Sequence, residues 1–355
     1  MKRHTVMVYA GDGIGVDVTI EAVNVLKIMA TRCGFELKMT ELDWGHRYWR
    51  KTGKVAPDDY LKQLQQCDAV LLGALGDPAN VPDHESIRPL IEMRQAFDQY
   101  ANVRPAKLFP GLRSPLADRK PEDIDIVVVR ENSEGEYISA GGFFKRETPD
   151  GIALQTAIHT RKGVERILRF GFEWAQKRVR KKLTMVTKSN ALKIGMVFWD
   201  EVLEVVRKDY PTVQTDKCHI DAMCMALVQK PQNYDVVVCS NMFGDIISDI
   251  TGAIAGSIGL SPSANLNPEH TFPSLFEPVH GSAPDIAGKG IANPLAAIRS
   301  AAMMLEFLGE MDAAMLIEKA VFECVVEGAV RTPDMGGQAT TAEVGADVRR
   351  RLAAP

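Results

Sequence analysis

Asp245 and Asp249 stand one helical turn apart in Ser240-Asn-Met-Phe-Gly-Asp-Ile-Ile-Ser-Asp249, just past the apolar run Tyr234–Cys239. Residues four apart share a helix face, so both carboxylates project together from beyond a strand end. Like charges at that spacing repel unless something positive lies between them. Mg²⁺ and Mn²⁺ favour oxygen ligands and take few carboxylates, so a divalent ion is the candidate; a solvated helix face is the plain alternative. Three arginines form a second set. Arg94 lies in a helix predicted over Ser86–Tyr100, Arg104 just beyond it before Pro105, and Arg130 ends a strand. Converging at the carboxyl ends of strands, they would grip carboxylates in planar, bidentate fashion. Singly, each also reads as a surface or ion-pair residue.

Other groups sit at strand ends. Arg130-Glu-Asn-Ser-Glu-Gly-Glu-Tyr137 has the acidic and glycine content of a functional loop, and Tyr137 offers a phenolic proton. Lys188, in Thr187-Lys-Ser-Asn190, could act as base or proton relay if neighbouring cations and desolvation depress its pKa; otherwise it is an exposed lysine. Phe276-Glu-Pro-Val-His-Gly-Ser-Ala-Pro-Asp-Ile-Ala-Gly288 supplies small residues whose N–H groups could cradle phosphate, with His280 nearby and Asp285 placed to accept ribose hydroxyls and repel a 2′-phosphate. Gly11-Asp-Gly13-Ile-Gly15 suggests a dinucleotide fingerprint, but Val16 stands where the third glycine belongs. A tight strand-to-helix turn is the preferred reading.

These groups need a scaffold. Thr5–Ala10, Glu36–Asp43, Ala69–Gly73, Ile124–Arg130, Leu183–Thr187 and Tyr234–Cys239 read as strands, and Val16–Arg32 has helical spacing. The alternation predicts a largely parallel sheet with helices on both faces. Gly135–Gln155, with Pro149-Asp150-Gly151 as a turn, reads as a hairpin arm projecting from the sheet; the chain from Asn293 onward is mainly helical. At 355 residues, 46% hydrophobic and 25% charged, the composition is that of an ordinary α/β enzyme. A formal charge of −4 argues against a dedicated nucleic-acid binder. Six scattered cysteines lack disulfide or zinc spacing, and no apolar run is long enough for a signal peptide or a membrane span, so a cytoplasmic location is expected.

Together these strings resemble the metal-dependent β-decarboxylating dehydrogenases of hydroxy acids, the isocitrate/isopropylmalate dehydrogenase family. The resemblance runs from Gly11-Asp-Gly-Ile-Gly to Asp334-Met-Gly-Gly-Gln-Ala-Thr-Thr341. Val81-Pro-Asp-His84, Phe97-Asp-Gln-Tyr100, His219-Ile-Asp221 and Ser263-Ala-Asn-Leu-Asn-Pro-Glu269 look most like its tartrate/D-malate branch, while Ile286–Asn293 looks equally like the isopropylmalate branch. The resemblance implies an α/β fold built on one extended mixed sheet, not a Rossmann fold. Two subdomains (roughly 1–99 plus 256–355, and 100–255 with a β-arm around 135–158) would flank a deep cleft. It implies that Arg94, Arg104 and Arg130 hold substrate carboxylates, that Asp221, Asp245 and Asp249 bind Mn²⁺ or Mg²⁺, and that Tyr137 and Lys188 manage protons beside Asp221. Glu277, His280, Gly281, Ser282, Ala283, Asp285, Ile286 and Asn293 would line the NAD⁺ site, Asp285 and Ile286 standing where NADP-using relatives carry lysine and tyrosine. It leaves room for a K⁺ ion. Lys188 and Asp221 would reach into the other subunit of a homodimer. The implied reaction is oxidation and decarboxylation of D-malate or a tartrate, with 3-isopropylmalate as the alternative. A non-catalytic regulatory subunit is the remote rival, since such a chain usually loses an aspartate, the tyrosine or the lysine.

Overall fold

Runs of Val, Ile and Leu buried on both faces make strands that only helices on either side can cover. The computed structural model describes residues 2–353. Its strands are β1 (Arg3–Gly11), β2 (Glu36–Glu41), β3 (Ala69–Ala74), β4 (Ala101–Lys107), β5 (Asp125–Glu131), β6 (Gly141–Phe144), β7 (Ile152–Gln155), β8 (Lys182–Thr187), β9 (Gln214–His219), β10 (Val236–Cys239), β11 (Pro262–Leu266) and β12 (Ser274–Pro278). Ten of them form one sheet in the order β2-β1-β3-β12-β11-β4-β5-β10-β8-β9. The four strands β2, β1, β3 and β12 are mutually parallel, as are β5, β10, β8 and β9. Between these blocks β11 and β4 pair antiparallel with each other and with their outer neighbours. The sheet is therefore mixed, and its two parallel blocks run in opposite directions.

All six predicted strands form, within a few residues of their expected ends. The sequence reading passed over β4, β9, β11 and β12: β9 is mostly polar, and β4, β11 and β12 each contain proline. Arg104 lies beyond the helix Arg88–Ala96, as expected, but not in a loop. It sits mid-strand on β4, at the sheet centre between β11 and β5.

The helix Ile14–Cys33 packs with Leu295–Phe307 and Thr341–Ala353 on one face, joining the apolar cluster that continues beneath both blocks of strands. A second cluster around Tyr9, Trp44, Tyr60, Leu72, Met93 and Phe97 covers the other face of the β1–β3 region. The predicted arm is a separate antiparallel hairpin of β6 and β7, with Phe143 and Phe144 each 62% exposed. All six cysteines are free thiols, and no helix among the described residues is long and apolar enough to cross a membrane.

Candidate active site

Strand alternation and register build the site. Opposite β5, Arg130 pairs with Asn102 of β4, and Asn102 pairs with Asn265 of β11. Two residues along, Val128 faces Arg104, whose Nε donates to Ser263 Oγ (3.4 Å), and Ser263 pairs with Glu277 of β12. Side chains two apart share a face, so these two rows lay Arg104, Arg130, Ser263, Asn265 and Glu277 on one side of the sheet. Arg94 arrives from the helix Arg88–Ala96 and donates to Glu277 Oε1 (3.1 Å), which also accepts from Asn265 Nδ2 (2.9 Å). The arginines converge as expected, but on the face of the central strands rather than at one carboxyl rim.

Over this face lies the helix Asn241–Ile254, carrying Asp245 and Asp249. Arg130 is ion-paired to Asp245 and holds Asn241 Oδ1 through Nε (3.0 Å) and Nη2 (2.7 Å). Arg104 lies 3.4 Å from Asp245 and 3.9 Å from Asp249, with Nη1 donating to Ser248 Oγ at 2.7 Å. Tyr137 donates to Asp245 Oδ2 at 2.8 Å. The three arginines, Tyr137, Asp245, Asp249 and Glu277, together with Ile87, Leu90, Ile91, Val279, His280 and Gly281, line a cavity of about 210 Å³. Its charged walls hold three guanidiniums and three carboxylates. A dianion and a divalent cation entering together would keep that balance.

The electrostatics are those of a site prepared for anions. Burial, then Arg94, pushes the Arg130 guanidinium down to about 10, and burial lowers Arg94 as well. Arg94 Nε is buried without a partner. Burial also opposes ionisation of Asp245, but Arg130 and Arg104 prevail and hold its carboxyl below the usual range. At Asp249 burial wins, with Asp245 adding to it, and the carboxyl is pushed up. Asp249, less well compensated than Asp245 on the same helix face, would be favoured by a divalent cation of oxygen preference held between the two. Tyr137 is pushed up to about 12 by burial and then by Asp245, so its phenol stays protonated at neutral pH.

Lys188 and Asp221 are not among these walls. Lys188 Nζ donates to Asp221 Oδ1 at 2.5 Å on a separate surface, and no group of three potential metal ligands forms among the described residues. Glu277, His280 and Gly281 reach the cavity, whereas Ser282, Ala283, Asp285 and Ile286 continue the loop beyond it. Asp285 is exposed. Asn293 is buried, its Nδ2 donating to Asp334 and its Oδ1 accepting from Leu295 N, so its amide serves the fold. Asn241 and Ser248 were missed by the sequence reading. Asn241 had a signal: 241, 245 and 249 fall four apart on one helix face.

The sequence profile described as isocitrate/isopropylmalate dehydrogenase matches residues 5–348. The chain belongs to the isocitrate/isopropylmalate dehydrogenase family. It is 50% identical over 351 residues to the D-malate dehydrogenase [decarboxylating] of Escherichia coli (strain K12), covering 97% of each chain. The tartrate dehydrogenase/decarboxylase of Pseudomonas putida is 49% identical, with 99% of each chain covered. The 3-isopropylmalate dehydrogenase of Thermobifida fusca is 47% identical, covering 98% of this chain and 97% of that one. The crystal structure of isocitrate dehydrogenase from Methylococcus capsulatus superposes with a TM-score of 0.88 at 37% identity, covering 99% and 100% of the two chains. Membership fixes the enzyme class as a dehydrogenase and the fold as the family's mixed sheet.

Proposed function

We propose that this chain catalyses NAD⁺-dependent, divalent-metal-dependent oxidation and decarboxylation of a small 2-hydroxy diacid, D-malate or a tartrate, as a cytoplasmic homodimer with shared sites. The observation that carries the reading is the cavity itself. Three buried or nearly buried arginines face an aspartate pair and a protonated phenol in a space smaller than the ~300–1,000 Å³ of drug-sized ligand pockets.

Asp245 and Asp249, with Asp221 from a second copy, would hold Mn²⁺ or Mg²⁺, and the 277–286 loop would hold NAD⁺. When bound, NAD⁺ accepts a hydride and the cation acts as a Lewis acid. The chain does the rest. Arg94, Arg104 and Arg130 fix the carboxylates so that the C–H bond to be broken faces the cofactor loop. Lys188 of a second copy takes the hydroxyl proton. Tyr137, protonated at neutral pH, delivers a proton to carbon once CO₂ has left. The two subdomains, 1–99 with 256–355 and 100–255, would close on this cleft about its shared β4–β11 floor.

One observation favours the 3-isopropylmalate alternative. Ile87, Leu90 and Ile91 form an apolar wall with Leu75 and Val279. Arg88 does not reach the cavity, because Glu85 (3.1 Å) and Glu92 (3.4 Å) hold its guanidinium. That wall has no hydroxyl or amide for the third carboxylate of isocitrate. It accepts an alkyl group as readily as the hydrogen of D-malate. A side-by-side kcat/KM series with D-malate, meso- and L-tartrate, 3-isopropylmalate and isocitrate, with NAD⁺, Mn²⁺ and K⁺, tests the choice. D-malate or tartrate should lead; a tenfold lead for 3-isopropylmalate, about 1.4 kcal/mol, would reverse it. NAD⁺ should be preferred over NADP⁺. The exposed position of Asp285 puts that preference toward the low end of about 1–4 kcal/mol.

A further inference from the structure

The turn Gly11-Asp-Gly13-Ile-Gly15 is not a phosphate cradle, yet it is built with unusual care. Asp12 is 3% exposed and has no ion-pair partner among the described residues. Its Oδ1 accepts from His46 N (2.7 Å) and its Oδ2 from Gly76 N (2.9 Å), while its own N–H donates to Ala74 O (2.8 Å). One carboxylate thus joins the loops that follow β1, β2 and β3. Gly45 has φ +88°, and a Cβ there would lie 2.5 Å from Asp12 Oδ1. The next residue makes a fourth connection. Gly13, at φ +54°, leaves no room for a Cβ against Ser282 O, and Ile14 N donates to that same oxygen at 2.9 Å. On the loop after β3, His46 Nδ1 holds Asp77 at 3.1 Å.

We propose that Asp12 is a positioning residue for the cofactor: through its two backbone hydrogen bonds and the Gly13–Ile14 contact it sets the shape of the 280–283 loop. This rests on the reading of that loop as the NAD⁺ site. Both carboxylate oxygens meet N–H donors, so each must accept. In Asp12→Asn one oxygen becomes NH₂ and faces a donor, leaving a buried N–H without a partner. The turn must then shift, and Ser282 with it. These contacts involve none of Arg94, Arg104, Arg130 or the aspartate pair, the groups that would hold the acid; of the acid's cavity only the wall at Ala74, His280 and Gly281 adjoins them.

Asp12→Asn should therefore raise KM for NAD⁺ about tenfold while KM for the hydroxy acid and kcat at saturating NAD⁺ stay within about twofold. A purely structural role would lower the melting temperature and move all three together, or none. Hydrogen exchange on the unaltered protein provides a second measurement should the variant fail to fold. NAD⁺ should increase protection of the His46 and Gly76 amides along with the 280–286 segment. If the unaltered protein binds no NAD⁺, the cofactor reading falls. If it binds NAD⁺ and protects 280–286, but His46 and Gly76 stay unchanged or the variant keeps its KM, the role of Asp12 is overturned.

Discussion

The cleft and the Lys188–Asp221 surface carry the same kinds of residue in opposite states. In the cleft, Arg130 is 1% exposed, and every charged wall group has a neighbour of opposite sign. On the other surface the side chain of Asp221 is 67% exposed, and among the described residues its one ion pair is with Lys188, whose hydrogen bond holds that carboxyl below its usual range. The same part of the chain leaves large apolar side chains uncovered: Ile194 (89% exposed) in the segment after Lys188, and Met225 and Val228 on the helix that carries Asp221; the arm exposes Phe143, Phe144 and Leu154. Large apolar side chains left this exposed are candidates for a contact surface. The cleft has its arginines, Glu277 and the aspartate pair but neither the lysine nor the third aspartate. The other surface has both, outside the cavity that holds the arginines. Each region supplies what the other lacks, which is the arrangement expected when two copies complete each other's site.

The largest effect should come from the cleft. Asp245→Asn removes a charge and a candidate ligand together and leaves Arg130 and Tyr137 without their anion. Activity should drop at least a hundredfold, about 2.7 kcal/mol, and Mn²⁺ affinity measured by titration should drop with it. Tyr137→Phe should separate the two half-reactions. Decarboxylation and reprotonation of an oxaloacetate-type keto acid should slow more than its reduction; equal retention of both would remove the phenol from the mechanism. On the other surface, replacing both Phe143 and Phe144 by Asp should weaken association. Light scattering should give a dimer for the unaltered chain and a monomer for the variant, and activity should fall about tenfold at low protein concentration while the cleft still binds the acid.

The cleft was also the more legible region. Four-residue spacing identified Asp245 and Asp249, and strand-end placement identified Arg130 and Tyr137. Arg94 and Arg104 could be named only as a set, because β4 is hidden by Pro105 and its register with β11 is a long-range fact. The grips on the arginines by Asn241, Ser248 and Ser263 were invisible for the same reason: local pattern shows which face a residue shares, not what crosses to meet it. Asp12 lay within a recognised turn. Its role depends on three loops far apart in sequence, which no spacing rule connects. The hairpin arm was legible from its turn residues, but its exposed aromatics acquire meaning only once the sheet leaves them uncovered.

The most direct test of sites shared between copies is complementation. Lys188→Ala keeps the cleft and loses the lysine; Asp245→Asn keeps the lysine and loses the cleft. Each alone should be nearly inactive. Dissociated, mixed in equal amounts and reassociated, half the dimers pair unlike chains, and each of these has one intact site of two. Activity should recover to about a quarter of that of the unaltered protein. Recovery no greater than the sum of the two parent variants would show that each chain completes its own site, and would contradict the account.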